Sequence, residues 1–170
     1  QDDESGLDLT KPLTLRGVNF QTRDSGFYRV APGGQVERLL AGAKNYAFST
    51  KAREADVVLI TASRFDEFPD LQVTNSNFAN PKKVTNAGAQ KDQYTWGTSQ
   101  LVRFKNTDGV PLQATLYKPD NMQPGKKYPL MIYIYERLSQ GVHGFVNPGP
   151  GTSINTSYYV SNGYVLVFDI

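Results

Sequence analysis

The chain has 170 residues, and its 18 lysines and arginines against 16 aspartates and glutamates leave a net charge of +2, which argues against a nucleic-acid-binding domain built on a basic face. It contains no cysteine and one histidine, so disulfides, thiolate zinc sites, cysteine nucleophiles and histidine-rich metal sites are excluded. The longest apolar run, around residues 130–135, is far shorter than the roughly 20 residues of a membrane-spanning helix.

The first hundred residues are predicted to form short strands separated by turns. Phe27–Val30 alternates between apolar and polar residues, Pro32-Gly33-Gly34 forms a turn, and Val36–Leu40 returns as the partner of a hairpin. Residues 49–55 allow a short helical turn. Further strands are predicted at Tyr46–Thr50, Val57–Thr61, Asp70–Thr74 and Lys82–Thr85.

A faint repeat runs through this half. Residues 26–42 resemble residues 69–86, with Phe27 and Leu71 in equivalent places at an offset of 44 residues. One blade of a β-propeller repeats every 40–50 residues or so. A plain β-meander would produce the same string, so both architectures fit.

After Gln100 the pattern changes. Leu101–Phe104 and Leu112–Tyr117 are predicted to form an antiparallel hairpin around a turn at 106–109. The run Tyr128–Tyr135 is apolar on both faces, as expected for a strand covered by helices on two sides.

A helix and a second buried strand complete this half. Thr152 or Ser153 is predicted to cap a helix over Ile154–Ser161, Gly163 to end it, and residues 163–170 to form the strand. Strand, helix and strand make a βαβ unit with parallel strands. Ligands of such sheets bind beyond the carboxyl ends of the strands, where this sequence stops. We therefore expect a fragment of a longer protein, with unpaired strand edges and an uncovered apolar face.

Three segments of the second half resemble one enzyme family. KKYPLMIYIYE (126–136), preceded by DGVPLQATLYKPDN (108–121) and followed by SNGYVLVFDI (161–170), looks like the start of the catalytic domain of prolyl oligopeptidase-family serine peptidases, which include dipeptidyl peptidase IV-like and acylaminoacyl peptidases. Residues 82–109 resemble the junction between the last propeller blade and the hydrolase in bacterial members. The resemblance implies a mixed fold: residues 1–100 as the C-terminal part of an antiparallel β-propeller, and residues 101–170 as the truncated N-terminal hairpin and first βαβ unit of an α/β hydrolase.

Tyr135 is the one catalytic candidate of the chain. In the family, the strand matching Tyr128–Tyr135 ends in a tyrosine whose hydroxyl donates to the oxyanion of the tetrahedral intermediate, and Tyr135 stands at that position. Glu136 and Arg137 depart from the small, glycine-rich residues of many relatives. The alternative is a structural tyrosine whose ring packs under the following loop. Asp169 resembles the residue before the Arg-Gly turn of relatives.

The catalytic triad is not in this sequence. An α/β hydrolase needs a Gly-x-Ser-x-Gly elbow, then Asp, then His. No such elbow occurs, and Ser161 in Val-Ser-Asn-Gly comes nearest. The nucleophilic Ser, the Asp and the His are expected beyond Ile170, so the 170-residue chain alone should be inert.

The resemblance implies a peptidase that hydrolyses short peptides by acyl transfer. It implies a peptide substrate, no cofactor, and no nucleic-acid or membrane partner, and it allows a homo-oligomer of the intact protein. Two alternatives stay open: a non-peptidase α/β hydrolase such as an esterase, and a non-catalytic propeller-containing binding protein.

Other polar and aromatic residues have structural interpretations. As a general base, His143 would need a nucleophile and an orienting carboxylate, and neither can be identified, so we expect a structural or substrate-lining loop residue. The loop 147–153 lacks the sequence of a phosphate-binding loop. Tyr94 and Trp96 are predicted to pack where the two domains meet, with ligand stacking as the alternative.

Overall fold

The computed structural model describes residues 6–135, 138–151 and 153–169. They form three β-sheets with little helix. The first sheet is antiparallel, in the order β1-β2-β3. The hairpin predicted at residues 27–40 is confirmed, with Gly34 at φ +81° in its turn, where a residue with a Cβ is disfavoured. The strands are β1 (Leu13–Val18), β2 (Ser25–Val30) and β3 (Val36–Gly42).

The second sheet is also antiparallel, in the order β4-β5-β6-β7. The strands predicted for this part of the chain are confirmed, although the last strand of the sheet has only two residues. The predicted helical turn over 49–55 is wrong, because Thr50 and Lys51 continue the ladder with the neighbouring strand, and backbone pairing outweighs weak local helix propensity. The strands are β4 (Asn45–Lys51), β5 (Val58–Ser63), β6 (Leu71–Thr74) and β7 (Lys82–Lys83).

The faint repeat corresponds to a repeated arrangement of three strands. Shifted by 44 residues, β1, β2 and β3 fall on residues 57–62, 69–74 and 80–86, which overlap β5, β6 and β7 in the same order. Phe27 of β2 stacks on Phe78, with ring centroids 4.1 Å apart, in a core that also includes Val58 and Ile60. The pattern is consistent with propeller-like blades.

The third sheet is mixed, in the order β10-β11-β9-β8. β8 and β9 form the predicted hairpin, and β10 and β11 are parallel, as the strand–helix–strand pattern predicted. Both predictions are confirmed. The strands are β8 (Gly97–Lys105), β9 (Pro111–Pro119), β10 (Leu130–Ile134) and β11 (Val165–Asp169).

A short helix, α1 (Thr156–Ser161), packs on β8, β9 and β11. Its cap is Asn155, whose Oδ1 accepts from the Tyr158 N–H at 3.0 Å, so the helix begins two residues later than predicted. Ser153 precedes the helix without capping it, and Thr152 lies outside the described residues. Gly163 ends the helix at φ +83°, as predicted. In the part of the chain that the structure describes, no helix is long and apolar enough to span a membrane.

β10 differs from the strand that the sequence predicted. Instead of being covered on both faces, it is the edge of its sheet, and Leu130, Ile132 and Ile134 are each more than half exposed. Within the described residues no helix lies over this face. The apolar side chains of β10 therefore form a surface that the described part of the chain does not cover.

Asp70 organises the segment between the second and third sheets. Its buried carboxylate accepts hydrogen bonds from Thr85 Oγ1 at 2.7 Å and from the Ala87 and Gly88 N–H groups, and pairs with Lys83 Nζ at 3.0 Å. These contacts fix the start of a 3₁₀ helix (Ala87–Gln93) that the sequence did not predict. Burial raises the pKa of Asp70, but the hydrogen bonds outweigh burial and hold the pKa below its ordinary value.

Replacing Asp70 with asparagine is expected to lower the free energy of unfolding by about 2 kcal/mol at pH 7, because an amide cannot accept from all four donors. A carboxyl whose pKa is lower folded than unfolded stabilises the protein above its unfolded pKa, about 4, and loses this contribution as the pH falls through its folded pKa. The difference between wild type and Asp70→Asn should therefore shrink below about pH 4. Urea denaturation of wild type and variant at a series of pH values measures this difference. Asp92→Asn, at an exposed position of the same 3₁₀ helix, is the control. An equal loss in both variants would contradict this role.

Candidate active site

The carboxyl ends of two parallel strands define the candidate site. β10 and β11 pair in register from Leu130↔Val165 to Ile134↔Asp169, so both strands end at the same edge of the sheet. Tyr135 follows β10 directly. Side chains at this edge of an α/β sheet surround the crevice in which ligands bind. Tyr135 thus stands at the carboxyl end of the parallel pair of strands.

Tyr135 is 60% exposed, so its hydroxyl is accessible to a ligand. Its ring stacks on that of Tyr133, with centroids 6.4 Å apart and an interplanar angle of 20°. The contact supports one side of the Tyr135 ring and leaves most of the side chain in solvent. An accessible tyrosine hydroxyl at a strand end can donate a hydrogen bond to a ligand bound beside it.

A continuous row of eight aromatic rings connects Tyr135 with the second sheet. Neighbouring ring centroids are between 4.8 and 6.4 Å apart, within the range of favourable aromatic pairs. Burial raises the pKa of Tyr117 to about 12, so its hydroxyl stays protonated inside the row. We call this set the aromatic row; in order it is Phe68, Phe145, Trp96, Phe65, Tyr117, Phe168, Tyr133 and Tyr135.

Trp96 stands where the second and third sheets meet. It immediately precedes β8, and its Nε1–H donates to the Phe65 carbonyl oxygen, which follows β5, at 2.8 Å. Its ring is 6% exposed and stacks on Phe145 at 5.5 Å. Trp96 therefore joins the two sheets, whereas the neighbouring Tyr94 is 66% exposed and lies on the surface.

A pocket of about 330 Å³ lies at this end of the aromatic row. Phe68, Tyr94, Trp96 and Phe145 line it, and the Lys91 Nζ lies 5.9 Å from the centroid of the Trp96 ring. The pocket therefore offers space for a ligand to stack on Tyr94 or Trp96, as the alternative interpretation of these residues requires. The buried contacts of Trp96 are structural.

His143 lies against the turn between β1 and β2. Its Nε2 is 3.5 Å from Asp24 Oδ1 without a hydrogen bond between them. This carboxylate neighbour comes from a segment about 120 residues away in the sequence, and no local pattern identifies it. Among the described residues no contact joins His143 to a serine nucleophile.

Ser161 and the glycine-rich loop have structural contacts. The Ser161 hydroxyl donates to the Thr95 carbonyl oxygen at 2.6 Å, so it is engaged with the backbone of the segment before β8. In the loop, Asn155 Nδ2 donates to the Gly149 carbonyl oxygen at 2.9 Å and ties the loop to its helix cap. Within the described residues no group of three His, Asp or Glu side chains is arranged to hold a metal ion. The structure does not bring Tyr135, His143 and Ser161 into one cluster of contacts.

The chain resembles known peptidases in sequence over a short segment. A stretch of 36 residues, 21% of this chain, is 47% identical to dipeptidyl peptidase 8 of mouse and of human. The segment spans 4% of each of those proteins. No family model matches the chain.

The fold resembles solved peptidase structures over nearly the whole chain. The isopeptidase AtxE2 matches 96% of this chain with a TM-score of 0.66 and 15% identity, and Porphyromonas gingivalis dipeptidyl peptidase 4 matches 96% with a TM-score of 0.64 and 16% identity. An acylaminoacyl peptidase of Pyrococcus horikoshii matches 85% with a TM-score of 0.56 and 15% identity. These structures are peptidases of the prolyl oligopeptidase family, and the chain spans about a quarter of their length or less.

Proposed function

We propose that the chain is part of a serine peptidase of the prolyl oligopeptidase family. The first two sheets would be the end of a β-propeller, and the third sheet would be the first part of an α/β-hydrolase domain. β8 begins at Gly97 and pairs with β9 along its whole length. We therefore propose a domain boundary at the start of β8. The observation that carries it is the similarity of the fold to peptidases over 96% of the chain.

The role proposed for this chain in catalysis is electrostatic. A serine, supplied with its Asp and His by other residues of the intact protein, would attack the peptide carbonyl and form a tetrahedral intermediate. The Tyr135 hydroxyl would donate a hydrogen bond to the negative oxygen of this intermediate. Collapse to an acyl-enzyme releases the amine, and water then hydrolyses the ester. None of these steps requires a cofactor.

The proposed propeller part would limit which substrates reach the site. The aromatic row runs from Phe68, between β5 and β6 of the second sheet, to Tyr135 at the edge of the third, and the packing around Trp96 joins the two sheets. A rigid junction of this kind would hold the propeller over the hydrolase crevice, and short peptides would be the preferred substrates.

The intact protein is expected to react with a fluorophosphonate probe at one serine and to hydrolyse chromogenic short-peptide amides. Mass spectrometry of the labelled protein identifies the serine, and heat-denatured protein is the control. Labelling with hydrolysis of p-nitrophenyl acetate but of no peptide in a varied panel would favour an esterase. The absence of both labelling and hydrolysis would favour a non-catalytic binding protein.

A further inference from the structure

The turn between β1 and β2, residues 19–24, lies against the third sheet. The carbonyl oxygen of Gln21 accepts hydrogen bonds from Arg103 Nη2 of β8 at 2.6 Å and from Gln113 Nε2 of β9 at 2.9 Å. Arg103 and Gln113 are partners across this hairpin, so the two donors are neighbours on the sheet. The turn of the first sheet is therefore fixed on the β8–β9 hairpin.

From this turn, the Arg23 side chain reaches the loop that follows β10, residues 138–144. Arg23 Nη2 donates to Ser139 Oγ at 3.0 Å, and Ser139 is fully buried. The neighbouring Asp24 approaches His143 of the same loop at 3.5 Å without a hydrogen bond. Within the described residues, the hydrogen bond from Arg23 is thus the one that joins the turn to the loop.

Arg23 is an unfavourable residue for the conformation of this turn. Its φ is +66°, in the left-handed region where glycine is favoured. Its Nε is buried and has no hydrogen-bond partner in the described part of the chain, which lowers stability further. Backbone strain of this kind persists where surrounding contacts hold it, and it is concentrated at functional positions. The arginine therefore indicates a function of the side chain rather than a requirement of the turn.

The loop held by Arg23 is close to Tyr135 along the chain. Only two residues separate Tyr135 from Leu138, the first described residue of the loop. A short covalent connection thus joins the loop to the strand end that carries the candidate oxyanion donor. Such a donor must be placed accurately, because a displacement of about 1 Å can slow a reaction about 10²-fold.

We propose that Arg23 is a positioning residue for the candidate active site, and that it acts by holding the loop after β10 from the first sheet. The proposal rests on the peptidase function proposed above. Arg23 acts through Ser139 and the loop on the placement of the Tyr135 hydroxyl, and not by contact with the substrate. The proposed propeller would then contribute to the rate of the chemical step as well as to the selection of substrates.

Arg23→Gly tests this role in the intact protein. Glycine adopts the positive φ of the turn readily, and the Gln21 contacts do not involve the substituted side chain. We expect kcat for a chromogenic peptide amide to fall about tenfold, with KM within about twofold of wild type, because misplacement affects the transition state more than the bound substrate. The midpoint of thermal unfolding should stay within about 3 °C of wild type, since relief of the strain offsets the lost hydrogen bond.

Asn80→Gly is the matched control, because Asn80 also has a positive φ, +46°, and is exposed between β6 and β7. It should have the kcat of wild type. The double variant Arg23→Gly/Tyr135→Phe tests whether Arg23 acts through the tyrosine, since residues that act as a unit have non-additive effects. We expect its kcat to lie within about twofold of that of Tyr135→Phe alone. A further loss of about tenfold would overturn the proposal.

Hydrogen–deuterium exchange of the intact protein tests the attachment of the loop without using activity. The amide N–H groups of Gly141, Val142 and Gly144 are hydrogen-bonded within the loop, and we expect them to exchange at least about fivefold faster in Arg23→Gly. Unchanged exchange in this variant, or a kcat equal to that of wild type, would overturn the proposal. If the wild type hydrolysed no peptide, the proposed function would fail instead, and the exchange rates would still decide whether Arg23 holds the loop.

Discussion

Replacing Tyr135 with phenylalanine is expected to lower kcat for peptide hydrolysis by the intact protein about 10²–10³-fold, with little change in KM. The substitution removes only the hydroxyl, so the ring keeps its contact with Tyr133. A donor aimed at charge that develops in the transition state stabilises that state more than the bound substrate. Steady-state kinetics with a chromogenic peptide amide separates the two parameters.

Tyr133→Phe provides the control for this experiment. Tyr133 lies in β10 itself, and its ring packs against both Tyr135 and Phe168. Loss of its hydroxyl should leave kcat within about threefold of wild type, since the position lies before the carboxyl end of the strand. A similar loss in both variants, or a rise in KM alone for Tyr135→Phe, would argue against an oxyanion donor. The ring of Tyr135 would then be structural.

Trp96→Ala is expected to lower the free energy of unfolding by about 3–5 kcal/mol. The substitution empties a buried space among Phe65, Phe145 and Val160 in the core of the third sheet, and it leaves the Phe65 carbonyl oxygen without its donor. The unpaired oxygen adds its own penalty to that of the cavity. Denaturation in urea, followed by far-ultraviolet circular dichroism, measures the change.

Two further variants separate the contributions of Trp96. Trp96→Phe keeps a ring in the stack on Phe145 but loses the N–H, and should cost about 1–3 kcal/mol. Tyr94→Ala removes a large but exposed ring two residues away, and should cost less than about 1 kcal/mol. If Tyr94→Ala were as damaging as Trp96→Ala, the junction would not depend on the buried contacts described above.

Local sequence patterns were sufficient to predict most of the strands. The hairpins around Gly34 and Gly109 carry their turn residues within the sequence, and both glycines have positive φ as such turns require. β1 was missed because the alternation of apolar and polar residues in Leu13–Val18 lasts only four residues before Gly17, and its side chains are mostly exposed. Its conformation depends on the ladder with β2. The helix cap was misplaced because several polar residues precede α1, and the sequence does not tell which of them accepts from the first turn.

The candidate site was predicted only through family resemblance. A tyrosine at the end of an apolar strand is unremarkable by itself, and Tyr135 became a candidate because its flanking segments resemble those of peptidases. The Asp70 network had no such signal, and neither did the hydrogen bond from Arg23 to Ser139. Arg23 and Ser139 are 116 residues apart, and only the folded chain brings them together.

The aromatic row also has a spectroscopic consequence. Trp96 is the single tryptophan of these 170 residues, and it stands inside a row that contains three tyrosines. Excitation absorbed by Tyr117 or Tyr133 can pass through space to the nearby indole of Trp96 and be emitted there. The ratio of tyrosine to tryptophan fluorescence therefore reports whether Trp96 is still packed in the core of the third sheet, without any attached dye.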